Sequence, residues 1–152
     1  MADSHARRRG GMAWLAVGAA LLAASTPVGA DAPEDRYMIV AAQGLVTDLR
    51  TRLTWQQTPD NAVYGWAAAA AYCRGLTPRG AFRLPTLKEL LTLVDPVRVR
   101  PAIDLKAFPN TSTDWFWTSS NRNAAGPAAV SFETGASSFF AATDSLRVRC
   151  VR

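Results

Sequence analysis

The sequence predicts an α+β domain in which two helices pack on short antiparallel strands and one disulfide ties a helix to the last strand. Three observations predict it. Short apolar stretches separated by turn residues occupy both ends of the chain, and two helical stretches lie between them. The only two cysteines, Cys73 and Cys150, fall on the inward faces of a helix and of the final strand.

The domain does not begin at residue 1. Of 152 residues, 49% are hydrophobic and 19% charged, the range of a soluble globular chain. Arg7, Arg8 and Arg9 precede an apolar run from Met12 to Ala24, and Val28-Gly29-Ala30 offers small residues for a signal peptidase. That run falls short of the roughly 20 apolar residues that span a bilayer. Residues 1–30 therefore read as a signal peptide, 31–36 as an acidic lead-in and 37–152 as one domain. Arg7-Arg8 also allows a twin-arginine signal, but Arg9-Gly10-Gly11-Met12 fits that pattern poorly, and general secretion is favoured. Either route places the mature protein outside the cytoplasm, secreted, periplasmic or at the cell surface, without a transmembrane segment.

Cleavage after Ala30 leaves 122 residues with 14 basic and 11 acidic side chains, so the formal charge falls from +5 to +3. The single histidine, His5, leaves with the leader. A histidine-free chain lacks the usual general base, the usual zinc ligand and the Ser-His and Cys-His nucleophile pairs. The expectation is no enzyme and no cofactor.

Tyr37 to Ala42 reads as the first strand. Leu45 to Asp48 and Leu53 to Gln57 form a hairpin about Leu49-Arg50-Thr51-Arg52, with Leu53 and Trp55 on one face and Trp55 in the core. Gly65 to Arg74 is the first helix, driven by five consecutive alanines and capped by Gly75, with Trp66, Ala69, Ala70 and Cys73 facing inward. In the second helix Thr86 and Glu89 form a capping box, Leu87, Leu90, Leu91 and Val94 recur at helical spacing, and Pro96 stops it. Residues 95–114 read as a long surface connection with one helical turn, and loops of that length are often functional. Trp115 to Ser119, Ala128 to Glu133, Ser138 to Thr143 and Leu146 to Val151 then read as strands of an antiparallel sheet. In the last, alternation points Leu146, Val148 and Cys150 inward and Arg147 and Arg149 outward.

An even cysteine count in an exported chain predicts a disulfide, and the two periodicities bring Cys73 and Cys150 to the same core. No CxxC spacing, histidine or third thiol supports a metal or redox centre.

Six short pieces then occur in a characteristic order: Val46-Thr47-Asp48, Leu53-Thr54-Trp55-Gln56, the helix bearing Cys73, Arg83-Leu84-Pro85-Thr86, Phe116-Trp117-Thr118-Ser119-Ser120 and Val148-Arg149-Cys150-Val151. Together they resemble the DUF1566, or Lcl C-terminal domain, family over residues 37–152. Arg52 departs from the pattern, which usually has glycine in that hairpin. The resemblance implies a secreted or surface-exposed bacterial domain, in the collagen-like adhesin a trimeric one that binds sulfated glycosaminoglycans through basic surface. With no Gly-X-Y repeat here, trimerisation does not carry over. The Arg-Leu-Pro-Thr segment and the disulfide also look like C-type-lectin-like and formylglycine-generating folds, a likeness of architecture that does not fix function.

The function expected first is a non-catalytic module binding glycans, anionic or neutral, in adhesion or envelope attachment. The residues proposed to carry it are Trp115 and Trp117 with Arg122, Arg147 and Arg149, because guanidinium forks match sulfate and carboxylate while indole faces stack on sugars. At least one of the two tryptophans belongs to the core. The alternative is an envelope assembly component binding protein partners; an oxidoreductase of formylglycine type is disfavoured because both thiols are spent. Export and the absence of a basic cluster disfavour nucleic acid. Arg83, Pro85, Thr86 and Glu89 read as a structural motif, with Arg83 paired to a carboxylate or to backbone carbonyls. Asp104, Asn110, Asp114, Glu133 and Asp144 are too scattered for a calcium site, and no metal is assigned.

Overall fold

The computed structural model describes residues 36–76 and 81–152; the leader and most of the acidic lead-in lie outside them. Two antiparallel three-stranded sheets carry the fold. The first contains β1 (Tyr37–Val40), β2 (Leu45–Asp48) and β3 (Thr54–Gln56) in sequence order, with Val46 opposite both Ile39 and Trp55. The second contains β4 (Trp115–Asn121), β5 (Pro127–Ser131) and β6 (Ser137–Phe139), again in order, with Phe116 opposite Val130. Ala41 and Ala42, expected to continue β1, instead belong to a 3-10 turn, Ala41–Gln43, closed by Gly44 in the left-handed region, φ 63°.

Helix α1 spans Trp66–Gly75 and α2 spans Leu87–Leu91. Leu76 rather than Gly75 caps α1, through its N–H to the Cys73 carbonyl. Ala69 and Cys73 are buried, while Trp66 and Ala70 are half-buried against the same core. The expected capping box is present in full: Thr86 Oγ1 accepts from Glu89 N–H at 3.2 Å, and Glu89 Oε2 accepts from Thr86 N–H at 2.8 Å. The helix ends well before Pro96, because the Thr92 hydroxyl and N–H both turn back to the Glu89 carbonyl.

Two apolar clusters fill the interior, and the strands lie between them. One gathers Val46, Trp55, Leu90, Ile103, Phe108, Phe116, Val130 and Val151; the other gathers Leu45, Ala69, Cys73, Phe82, Trp117, Ala129, Val148 and Cys150. Sequence neighbours such as Leu45 and Val46, or Phe116 and Trp117, therefore point into different clusters, as the two-residue period requires. Both faces of β5 are covered, and it is buried at every position.

The segment 95–114 corrects its sequence reading as a surface connection. Ala102, Ile103, Ala107, Phe108 and Thr111 are buried, and four of them are core apolar residues. An Asp104 turn holds the segment: Oδ1 accepts from Lys106 N–H, and the Asp104 carbonyl accepts from Phe108 N–H. The last segment is corrected as well. Residues 146–151 form no continuous strand but make isolated bridges, Leu146 to Tyr64, Arg147 to Phe116 and Val151 to both Trp55 and Arg83. Within it the expected disulfide joins Cys73 and Cys150, whose Cα atoms lie 5.5 Å apart. Among the described residues no helix is long and apolar enough to cross a membrane.

Candidate functional site

The five side chains expected to carry binding divide sharply. Arg149 is fully buried, contrary to its expected outward position. The alternation itself holds, but the far side of the segment is the apolar cluster that contains Phe108 rather than water: Arg149 lies over the Phe108 ring at 4.8 Å. It donates to the Gln56 and Gln57 carbonyls at 2.9 and 2.6 Å and to Thr111 Oγ1 at 2.6 Å. Burial pushes its pKa down to about 9, which still leaves the guanidinium charged at neutral pH. Arg147 is tied down too, through Asp114 Oδ2 at 2.9 Å and the Asn61 carbonyl.

Trp117 is a core residue, 0% exposed, and its indole N–H donates to the Tyr64 carbonyl at 2.6 Å. Trp115 is half-buried with its ring edge-on to Phe140 at 4.9 Å. Of the five, only Arg122 is fully at the surface. Its guanidinium lies 5.7 Å from the centre of the Phe139 ring, which is 39% exposed.

Arg122 sits at the tip of the second sheet, where the β4–β5 turn meets the chain leaving β6. An open groove of about 580 Å³ runs there, lined by Asn121, Asn123, Phe139, Phe140 and Asp144 among others. Local sequence builds it. Asn123 adopts a left-handed φ of 43° in a one-turn 3-10 helix, and Gly126 closes the turn at φ 82°. A Cβ on Gly126 would meet the Phe140 carbonyl oxygen at 2.3 Å, so glycine lets the two walls approach. Asp144 Oδ2 accepts from Ala141 N–H and shapes the opposite wall.

The groove presents amide and carboxylate groups beside an exposed aromatic face and a cation. Such planar donors and acceptors bind hydroxyls, and the ring offers a stacking surface. Asp144 is the sole carboxylate lining the groove. Sequence reading found Arg122 and its flanking asparagines as turn residues. It missed Phe139, whose signal was a pair of aromatics at the end of a short strand.

The Arg-Leu-Pro-Thr motif forms a second constellation. Arg83 pairs end-on with Glu89, Nη1 to Oε2 and Nη2 to Oε1, both at 2.8 Å, and Nη1 also reaches the Leu84 carbonyl at 3.2 Å. The guanidinium and the Thr86 N–H hold the Glu89 carboxyl far below its ordinary range, at about 2. The Pro85 carbonyl accepts from both the N–H and the hydroxyl of Ser119, which ties the motif to β4. Beside it, Trp66, Ala70, Arg74, Arg83, Leu84 and Ser119 line a cleft of about 200 Å³.

Among the described residues no three His, Cys, Asp or Glu side chains converge to hold a metal ion. Asp104, Asp114 and Glu133 are each engaged elsewhere, with the Asp104 turn, Arg147 and Arg100 respectively. Comparison with protein families matches residues 44–152 to the Lcl C-terminal domain. No curated protein and no solved structure matches the chain.

Proposed function

Because the chain belongs to the Lcl C-terminal domain family, we propose that it is a non-catalytic module, working outside the cytoplasm, that binds glycans through the groove at the tip of its second sheet. The observation that carries the reading is Arg122 poised over the exposed Phe139 ring at the edge of an open groove flanked by Asn121, Asn123 and Asp144. A shallow site with one aromatic face and several planar polar groups suits a sugar, which offers hydroxyls around a ring and an apolar face of C–H bonds. The disulfide and the Arg-Leu-Pro-Thr segment favour a lectin-like use of the fold, and the leader motivates export. Of the residues first expected to bind sugar, Arg122 is kept and Phe139 joins it, since Arg147, Arg149 and Trp117 are engaged within the protein.

The test is a glycan array at two salt concentrations. Binding should appear for the wild-type domain and fall at least about fivefold in Phe139→Ala and in Arg122→Ala, as expected for loss of a stacked ring or a charge-assisted contact. Anionic ligands should weaken as salt rises, through screening of the surface charge. Glycan binding that both variants retain would remove the groove from the proposal.

Envelope assembly through a protein partner is a second reading, favoured by Val97 and Val99. They are 62% and 69% exposed and lie two residues apart between Pro96 and Pro101. Cross-linking to an envelope protein that Val97→Ser combined with Val99→Ser abolishes, without any glycan binding, would select it.

A further inference from the structure

The groove at the tip of the second sheet sets a fixed acceptor on one wall against amide groups on the other. On the wall that follows β6, Asp144 is held by a turn closed in both directions. Its N–H donates to the Ala141 carbonyl at 2.9 Å and its Oδ2 accepts from Ala141 N–H at 3.0 Å, which leaves Oδ1 without a partner among the described residues. On the wall of the β4–β5 turn stand Asn121 and Asn123, and among the described residues neither carboxamide has a hydrogen-bond partner. Phe140 N–H donates to the Pro127 carbonyl at 3.0 Å and ties the two walls together, so their spacing is set before a ligand arrives.

Charge narrows what such a groove can hold. Asp144 is the only charged side chain among the described residues that line it, and the Arg122 guanidinium lies over the Phe139 ring rather than in the lining. A lone carboxylate turns away sulfate, phosphate and uronate groups, because like charges brought together cost affinity. The favoured ligand is therefore neutral, donates towards Asp144, accepts from a carboxamide on the facing wall and carries apolar surface for Phe139. A secondary amide has that form: it is planar and trans, so its N–H and C=O point in opposite directions and can address both walls at once.

We propose that the groove recognises the acetamido group of a neutral 2-acetamido-hexose, its N–H donated to Asp144, its carbonyl accepting from the Asn121 and Asn123 carboxamides and its methyl group against Phe139. The proposal rests on the glycan reading above and deepens it by naming the class of sugar. The groove volume of about 580 Å³ lies in the range of small-ligand sites, roughly 300–1,000 Å³, so the sugar ring enters with its substituent. A hexose with a hydroxyl in place of the acetamido group reaches one wall only and leaves the facing polar groups unpaired.

Titration of the ¹⁵N-labelled protein with methyl N-acetylglucosaminide, read at the Ala141 N–H resonance that reports on Asp144, tests it. Saturable shifts are expected, with affinity at least about fivefold above that for methyl glucoside or methyl glucuronide, the scale of one net hydrogen bond. Asn121→Ala combined with Asn123→Gly should erase the preference over methyl glucoside; glycine keeps the left-handed φ of 43° at position 123. Asp144→Asn, which removes the charge, should raise the affinity for methyl glucuronide. A preference that survives the double variant, or no gain of glucuronide in Asp144→Asn, would overturn the proposal. Glucosamine bound more tightly than methyl N-acetylglucosaminide would overturn it in favour of a cationic ligand, and N-acetylglycine methylamide bound as tightly would make the groove a peptide site. Equal binding of methyl glucoside would overturn the acetamido assignment and leave a glycan groove, whereas no shift with any sugar would remove the groove itself, so the two failures are read separately.

Discussion

Arg149 holds a buried positive charge between two carbonyls, a hydroxyl and the face of Phe108, with no carboxylate among its hydrogen-bond partners. Its planar fork bridges acceptors from β3, the residue after it and the 95–114 segment, which a single ammonium cannot span. Arg149→Lys should therefore lower stability by about 2 kcal/mol, the scale of a lost hydrogen bond to a charged group, seen as a lower denaturation midpoint at unchanged slope. Arg52 raises the opposite expectation. It occupies the left-handed region at φ 61° in the β2–β3 hairpin, where glycine carries no Cβ penalty. Arg52→Gly should raise stability by about 1 kcal/mol, measured by the same unfolding curves; a fall would show that the arginine side chain offsets its backbone strain.

Among the elements, α2 is only five residues long, and its capping and ion pair matter accordingly. Glu89 is held at about 2, below its ordinary value of 4.5, so its contribution is complete above pH 4.5 and is lost as pH falls from about 4.5 towards 2. Half-exposed Arg83 and solvent screening hold that contribution to about 1 kcal/mol. Glu89→Gln should lose about that much at pH 7 and flatten the acid limb of the stability profile between pH 4.5 and 2. A limb identical to the wild type would remove Glu89 from the acid response. This helix was legible in the sequence because its signals, Thr86, Glu89 and the leucine spacing, act within one turn. The 95–114 segment was not: Ile103 and Phe108 are buried by an irregular backbone that has neither a helical nor a strand period. Arg149 was misread for a related reason. A period of two tells which residues share a face but not whether the opposite face meets water. The groove was half legible: Asn121, Arg122, Asn123 and Gly126 announce a turn, while the approach of Phe139 to Arg122 is a tertiary event.

For the whole molecule, the disulfide is the longest covalent constraint, closing a separation of 77 residues from α1 to the final segment. In the loop-entropy description such a closure contributes about 4.5 kcal/mol, against a total of roughly 5–15 kcal/mol for a domain of this size. Unfolding curves with and without reductant, or of Cys73→Ala combined with Cys150→Ala, should differ by that order, and overlapping curves would show that packing alone holds the segment. The cysteine count and the two facing periodicities made this link readable, because a disulfide needs only two positions to be right.

The final segment also orders events in time. β3 exchanges hydrogen bonds with Arg152 through Thr54, and Gln56 N–H donates to the Cys150 carbonyl, so residues from 54 to 56 find their partners almost a hundred positions later. A polypeptide leaving the ribosome amino end first would expose Val46 and Trp55 until those last residues emerged, since Val151 belongs to the same cluster. Completion of this fold thus waits on residues 150–152, and until they emerge the first sheet is unfinished and its apolar side chains are open to a holding chaperone.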